Sequence, residues 1–256
     1  MKSFIAFIKK ELTEQIRTGK LLFLGALFTV LGIMNPAVAK LTPWLLEVFS
    51  DSLAGSGITV TEVTVSAMDS WVQFFKNIPI GLIAFVLLQG SIFTREYASG
   101  ALTLSLTKGL KRHKVVCAKA TILYALWTLG YFLCFAITYA YNSFFWDNSV
   151  AESLGLSVIC WWIFGLLVIS LMILLSVLLQ SGTSVLIGTG GAVLVFYIVG
   201  MIPKVNKYLP TMLTDGNSLI YGAAKPSDYI AAIIIASVSA LACFAASIPI
   251  FNKKQL

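Results

Sequence analysis

The sequence predicts an all-α integral membrane protein with six transmembrane helices, and three observations predict it. Of the 256 residues, 58% are hydrophobic and only 11% are charged, whereas a soluble domain carries about 25% charged residues. The mean hydropathy is +0.90. Apolar runs near the ~20 residues that a bilayer crossing needs recur along the chain, and no charged residue occurs between Leu154 and Ile202. Such a chain cannot clothe a globule in polar side chains. A soluble enzyme, a secreted disulfide scaffold and a disordered chain are excluded. The expected organisation is one transmembrane domain over 1–256, with an amphipathic helix over 1–20, a six-span bundle over 21–251 and a cytoplasmic tail over 252–256.

The elements follow in order. Phe4, Ile5, Ile8, Leu12 and Ile16 recur at helical spacing, with Lys9, Lys10, Glu14 and Arg17 on other faces. This pattern predicts an amphipathic helix lying in the membrane interface, where its basic residues can meet anionic lipid. Span one runs from Leu21 to Val38. Ala37-Val38-Ala39 matches a leader-cleavage pattern, but the charged segment before the apolar run is about 20 residues long, which is unusual for a leader; the span is read as retained. Pro43 to Phe49 suggests a separate interfacial helix with Trp44 at headgroup depth, and 59–65 alternates like a short strand. Span two is Ile78 to Phe93 and span three Val115 to about Tyr141. The charge-free stretch is too long for one helix and breaks at Gln180-Ser181-Gly182-Thr183-Ser184, which gives spans four and five. The segment from Pro203 to Pro226 is compatible with folding partly back into the membrane edge. Span six is Tyr229 to Phe251.

Orientation follows from Lys and Arg. An even number of spans places both termini on one side, together with the loop between spans two and three. That side carries 13 basic and 3 acidic residues, and the other side 5 and 8. Both termini are therefore expected in the cytoplasm, in a multi-pass protein of the cell membrane.

Much chemistry is absent. Cys117, Cys134, Cys160 and Cys243 have no paired spacing, which reads as buried small apolar residues rather than a metal or disulfide framework. The single histidine, His113, lies in a basic loop, so no His-based metal cluster or serine triad can form, and no catalytic residue is assigned. There is no G-x-x-x-x-G-K-[ST] loop. Gly188-Thr189-Gly190-Gly191 lies within an apolar span, where small residues serve close helix packing. The chain is thus expected to hydrolyse no ATP and to bind no cofactor or metal of its own. It has no nucleic-acid-binding motif. The centres of the spans carry no Asp, Glu, His or Arg, which disfavours an ion-coupled carrier. A non-transporting tether that holds a cytoplasmic partner is the other alternative.

The most informative segment follows span two. Arg95, Glu96 and Tyr97 leave the membrane together, Gly100 marks a turn, and Leu102, Leu104 and Leu106 are apolar residues in a segment expected to face water. Apolar residues on a charged loop suggest a docking surface; a short helix packed on the membrane surface is the equal alternative. Here the sequence resembles the permease subunits of ABC-2-type ATP-binding-cassette transporters. Their loop reads Arg/Lys-Glu, Gly-Thr-Leu, a leucine-rich stretch, Thr-Lys-Pro, Arg and Lys. This chain has Arg95-Glu96, Gly100-Ala101-Leu102, Thr107-Lys108, Arg112 and Lys119, and departs at Ala101 and Gly109.

The resemblance implies a coupling helix between spans two and three, docked on a cytoplasmic ATPase through Arg95, Glu96, Tyr97, Ser99, Gly100, Ala101 and Leu102. A second, smaller contact is implied at Gln180 and Gly182. The N-terminal helix becomes an elbow along the inner leaflet. Two permeases, identical or paralogous, would work with two ATPases, which bind ATP and Mg. Spans two and five would line the path, with Phe85, Gln89, Phe196 and Tyr197 as candidate lining residues. The implied activity is alternating-access export. With no charged ring in the spans, a hydrophobic or amphipathic cargo is favoured, such as a bacteriocin-like peptide, a toxin or a drug.

Overall fold

The structure, a computed structural model, describes residues 2–48, 64–98, 100, 102, 106–107 and 111–254. Among these it is helical throughout, with no strand. Helix α1 (Lys2–Arg17) leads through Thr18 and Gly19 into α2 (Lys20–Val48). Then come α3 (Ala67–Gln89), the short α4 (Thr94–Ala98) and α5 (Arg112–Phe145), followed by α6 (Leu154–Leu178) and α7 (Gly182–Gly200). The short α8 (Pro203–Asn206) and α9 (Gly216–Ile220) precede α10 (Ile230–Lys253). Helices α2, α3, α5, α6, α7 and α10 are the six that are long and apolar enough to cross a membrane, as the sequence predicts.

Several ends differ from the sequence reading, each for a local reason. Helix α2 does not stop at Val38. It runs unbroken through Pro36 and Pro43 to Val48, so the separate helix expected at Pro43–Phe49 is part of span one. Lys40 does not end the helix because its ammonium reaches out over the Phe145 ring, 3.7 Å from the centroid. Helix α3 begins about three turns before Ile78. A capping box starts it: Ser66 Oγ accepts from the Met68 amide at 3.2 Å, and the Ser66 amide donates to Asp69 Oδ2 at 2.9 Å. The strand expected over 59–65 falls outside the described residues except for its last two, which have no regular structure.

Packing divides the bundle. Helix α2 lies against α3 and α5, α10 against α6 and α5, and α1 against α5. The largest buried side chains, among them Trp71, Phe74, Phe85, Trp127 and Tyr131, fill the space between α2, α3, α5 and α6. In contrast, only 11% of the α7 span is buried within the chain, against 61% of α6. Helix α7 thus presents an apolar face, including Leu194, Val195 and Ile198, that no other element covers among the described residues. At the end of the bundle far from α1, the segment after α7 folds back over α6. Trp161 Nε1 donates to the Thr214 carbonyl at 2.9 Å, and Tyr229 Oη to the Asp215 carbonyl at 2.9 Å. Leu213, Leu219 and Ile220 are buried there.

Candidate functional site

Charged and polar residues converge at the α1 end of the bundle, where α1, α4 and the first turns of α5 meet. Glu96 on α4 is only 6% exposed and turns inward. Lys119, two turns inside α5, is 1% exposed. Its ammonium lies 2.9 Å from Glu96 Oε2 and 2.9 Å from Glu11 Oε2 on α1, and donates to the Ile92 carbonyl at 3.1 Å. Lys10 closes the ring. It pairs with Glu96, with Glu11 at 3.0 Å and with Glu14 at 3.3 Å. Two ammonium groups and two buried carboxylates thus alternate, and each charge is compensated on both sides.

The environment explains why the ring holds. Burial acts to lower the Lys10 pKa, but the bond to Glu96 and the charges of Glu11 and Glu96 outweigh it, and the pKa is raised. The ring of Phe7 lies 5.2 Å from the Lys10 ammonium, and that of Phe93 lies 5.5 Å from Lys119, which adds cation–π attraction in a partly dry site. Glu11, Glu14 and Glu96 approach one another closely enough to hold a metal ion. Lys10 pairs with all three of these carboxylates and Lys119 with Glu11 and Glu96, so two ammonium groups stand among the oxygens that a metal ion would use.

A second polar clasp lies beside the ring. Gln15 of α1 and Gln89 of α3 exchange two amide hydrogen bonds, at 3.1 and 2.9 Å, and both side chains are buried. The inward face of α1 is therefore Phe7, Glu11 and Gln15, while Ile5, Leu12 and Ile16 are exposed. Helical spacing reveals the apolar stripe but gives no sign that a polar stripe beside it faces the bundle. Replacing Gln89 by Leu strands the Gln15 amide and is expected to destabilise by about 1–3 kcal/mol. Adding Gln15→Leu, which removes both partners, is expected to recover most of that loss, as read from the unfolding midpoints of the three variants in detergent. A double variant no better than the single one would refute the pairing.

The remaining predicted site residues are placed as follows. Arg95 is exposed. Tyr97 is half-buried, stacked on Phe251 at 6.5 Å, with the Lys254 ammonium 4.3 Å from its ring centre. Gly100 is exposed at φ +67, a left-handed conformation suited to glycine. Leu102 is buried; Ser99 and Ala101 lie outside the described residues. Gln180 is exposed in the turn between α6 and α7. A Cβ placed on Gly182 would lie 3.3 Å from Ser91 Cβ and 3.3 Å from Thr94 Oγ1, so the structure packs this turn directly on the start of α4. Phe85 is enclosed within the chain, edge-on to Trp127 at 5.8 Å, and Gln89 is held by Gln15. Phe196 is half-buried, and Tyr197 is exposed with its hydroxyl donating to Thr214 Oγ1 at 3.2 Å. The open faces of α3 and α7 instead flank a groove of about 350 Å³ lined by Ile83, Leu87, Leu186 and Leu194 among others.

The charge ring ties a short helix to α1 and α5 on either side. Six helices long and apolar enough to cross a membrane, packed into one bundle, define a multi-pass membrane domain. The family model described as ABC-2 family transporter protein matches residues 5–206, and the chain belongs to that family. It is accordingly the transmembrane permease component of an ABC transporter, and the family implies a partner ATPase. No curated protein and no solved structure matches the chain.

Proposed function

We propose that this chain is the permease subunit of an ATP-driven exporter of the cell membrane, with α1 and both termini in the cytoplasm. Two copies, or one copy and a paralogue, assemble with two cytoplasmic ATPases that supply ATP and Mg chemistry. The single domain bonds no substrate covalently; it presents a path whose affinity differs between inward and outward states. The observation that carries this reading is the ring of Lys10, Glu11, Glu96 and Lys119. It joins α4, the element expected to meet the ATPase, to α1 and α5, so a push on α4 reaches two further helices without slack. Glu96 acts through this ring, while Arg95, Gly100 and Gln180 supply the exposed contact. The uncovered face of α7 and the groove it forms with α3 supply the second-copy interface and the path, and their apolar lining suits an amphipathic peptide, a toxin or a drug.

The test is co-purification with ABC ATPases co-expressed from the same source, followed by ATP hydrolysis in lipid. Because Glu96 is buried, variants there perturb the fold; the exposed positions are the informative ones. Arg95→Glu reverses an exposed charge. Gly100→Pro imposes a φ near −65° where the chain requires a positive one. Each is expected to lower permease-dependent hydrolysis by about tenfold, equivalent to ~1.4 kcal/mol, with the chain still folded. Failure of any ATPase to associate with the folded chain would overturn the reading and favour an ion-coupled carrier or a tether.

A further inference from the structure

We infer that the residues leaving α10 form a strut that locks the turn between α6 and α7 to α4, so that the two proposed ATPase contacts move as one body, with Lys254 as the positioning residue. The inference rests on the proposed function for its purpose but on local geometry for its existence. The last carbonyls of a helix have no partner within it. At the end of α6, Lys254 supplies one: its ammonium donates to the Val177 carbonyl at 2.6 Å and the Leu179 carbonyl at 3.2 Å, at the helix end where a cation is favoured. The same ammonium sits over the Tyr97 ring of α4. Burial pulls the Lys254 pKa below its ordinary value, as expected of a cation lodged between protein groups rather than extended into water.

The strut is itself held at its base. Arg112, in the first turn of α5, donates from Nη1 to the Phe251 carbonyl at 3.2 Å and the Asn252 carbonyl at 3.3 Å, and also to the Lys254 carbonyl. Phe251 is fully buried and wedged between Tyr97 and Phe93, 6.2 Å from the latter. With Gly182 packed on Ser91 and Thr94, the turn after α6 touches α4 directly and is bound to it again through Lys254. A load on either contact is then shared by α3, α6 and α7, instead of passing through one loop alone.

Backbone amide exchange on the full chain in lipid tests this without any ATPase, so its outcome is separate from that of the proposed function. Lys254→Met removes the charge and the donors. It is expected to speed exchange about tenfold both in the turn after α6 and in α4, whereas Lys254→Arg retains protection. Tyr97→Leu, which leaves the carbonyl bonds of Lys254 possible, is expected to loosen the turn after α6 although the altered side chain belongs to α4. A purely local capping lysine would loosen only the turn in Lys254→Met, and Tyr97→Leu would leave that turn unchanged; either result overturns the strut. In the ATPase complex, ATP is expected to change exchange in both segments together in the native chain and in α4 alone in Lys254→Met. Equal changes in both segments of that variant would refute the transmitting role.

Discussion

Replacing Lys119 by Met is expected to lower the stability of this protein by about 3–5 kcal/mol, the range for removing one partner from a buried ion pair. The magnitude follows from what remains. Lys119 bonds both Glu11 and Glu96 from the α5 side, and both carboxylates are buried. Without it both carboxylates lose a 2.9 Å ion pair and face each other as like charges in a site of low dielectric. At roughly 2–4 °C per kcal/mol for a chain of this size, the unfolding midpoint is expected to fall by at least about 6 °C. The second half of the prediction is sharper. Adding Glu96→Gln to Lys119→Met removes one of the two buried carboxylates and leaves Lys10 paired with Glu11 at 3.0 Å and with Glu14 at 3.3 Å. That double variant is expected to be more stable than Lys119→Met alone. Strictly additive losses would mean that the charges do not form one coupled unit.

The architecture was legible because it rests on length and polarity alone. Six apolar runs, and the polar break at Gln180 within an otherwise charge-free stretch, need no tertiary knowledge. Helix ends were less legible because a charge was read as a boundary. Lys40 lies inside α2 because it reaches over an aromatic ring, a device that does not show in hydropathy. The position of the loop after the second span was readable from Arg95-Glu96, Gly100 and Leu102, but the direction of its side chains was not. Glu96 turns inward because its partners, Lys10 and Lys119, arrive from elements far away in sequence; Glu11 and Lys119 are 108 residues apart. Periodicity reports the faces of one helix and is silent on which polar residue meets which across a bundle. The same blindness hid the clasp of Gln15 and Gln89.

Trp127→Ala is expected to cost about 3 kcal/mol, and the reason differs from that in a soluble core. Trp127 is fully buried, between Phe28 at 5.9 Å, Phe85 at 5.8 Å and Tyr131 at 5.4 Å. Its ring lies flat on Gly165, where any Cβ would overlap it. In water-soluble proteins, moving an indole out of the core exposes it to solvent. In a bilayer the alternative environment is itself apolar, so little of the transfer energy remains. What survives is the unfilled volume and the lost contacts. A residual void on the order of 100 Å³, at about 24 cal/mol per Å³, accounts for about 2.4 kcal/mol. The lost bond from Nε1 to the Trp162 carbonyl, 3.3 Å long, accounts for much of the rest at about 0.5–1.5 kcal/mol. This argument makes a demand that a general loss of fold would not meet. The void is lined by aromatic rings and glycine and should stay dry, so free indole added at millimolar concentration should enter it and raise the unfolding midpoint of Trp127→Ala while leaving the native chain unchanged. A loss below about 1 kcal/mol would show that the neighbours close the gap, and a midpoint indifferent to indole would show that the gap is not the shape of the ring that left it.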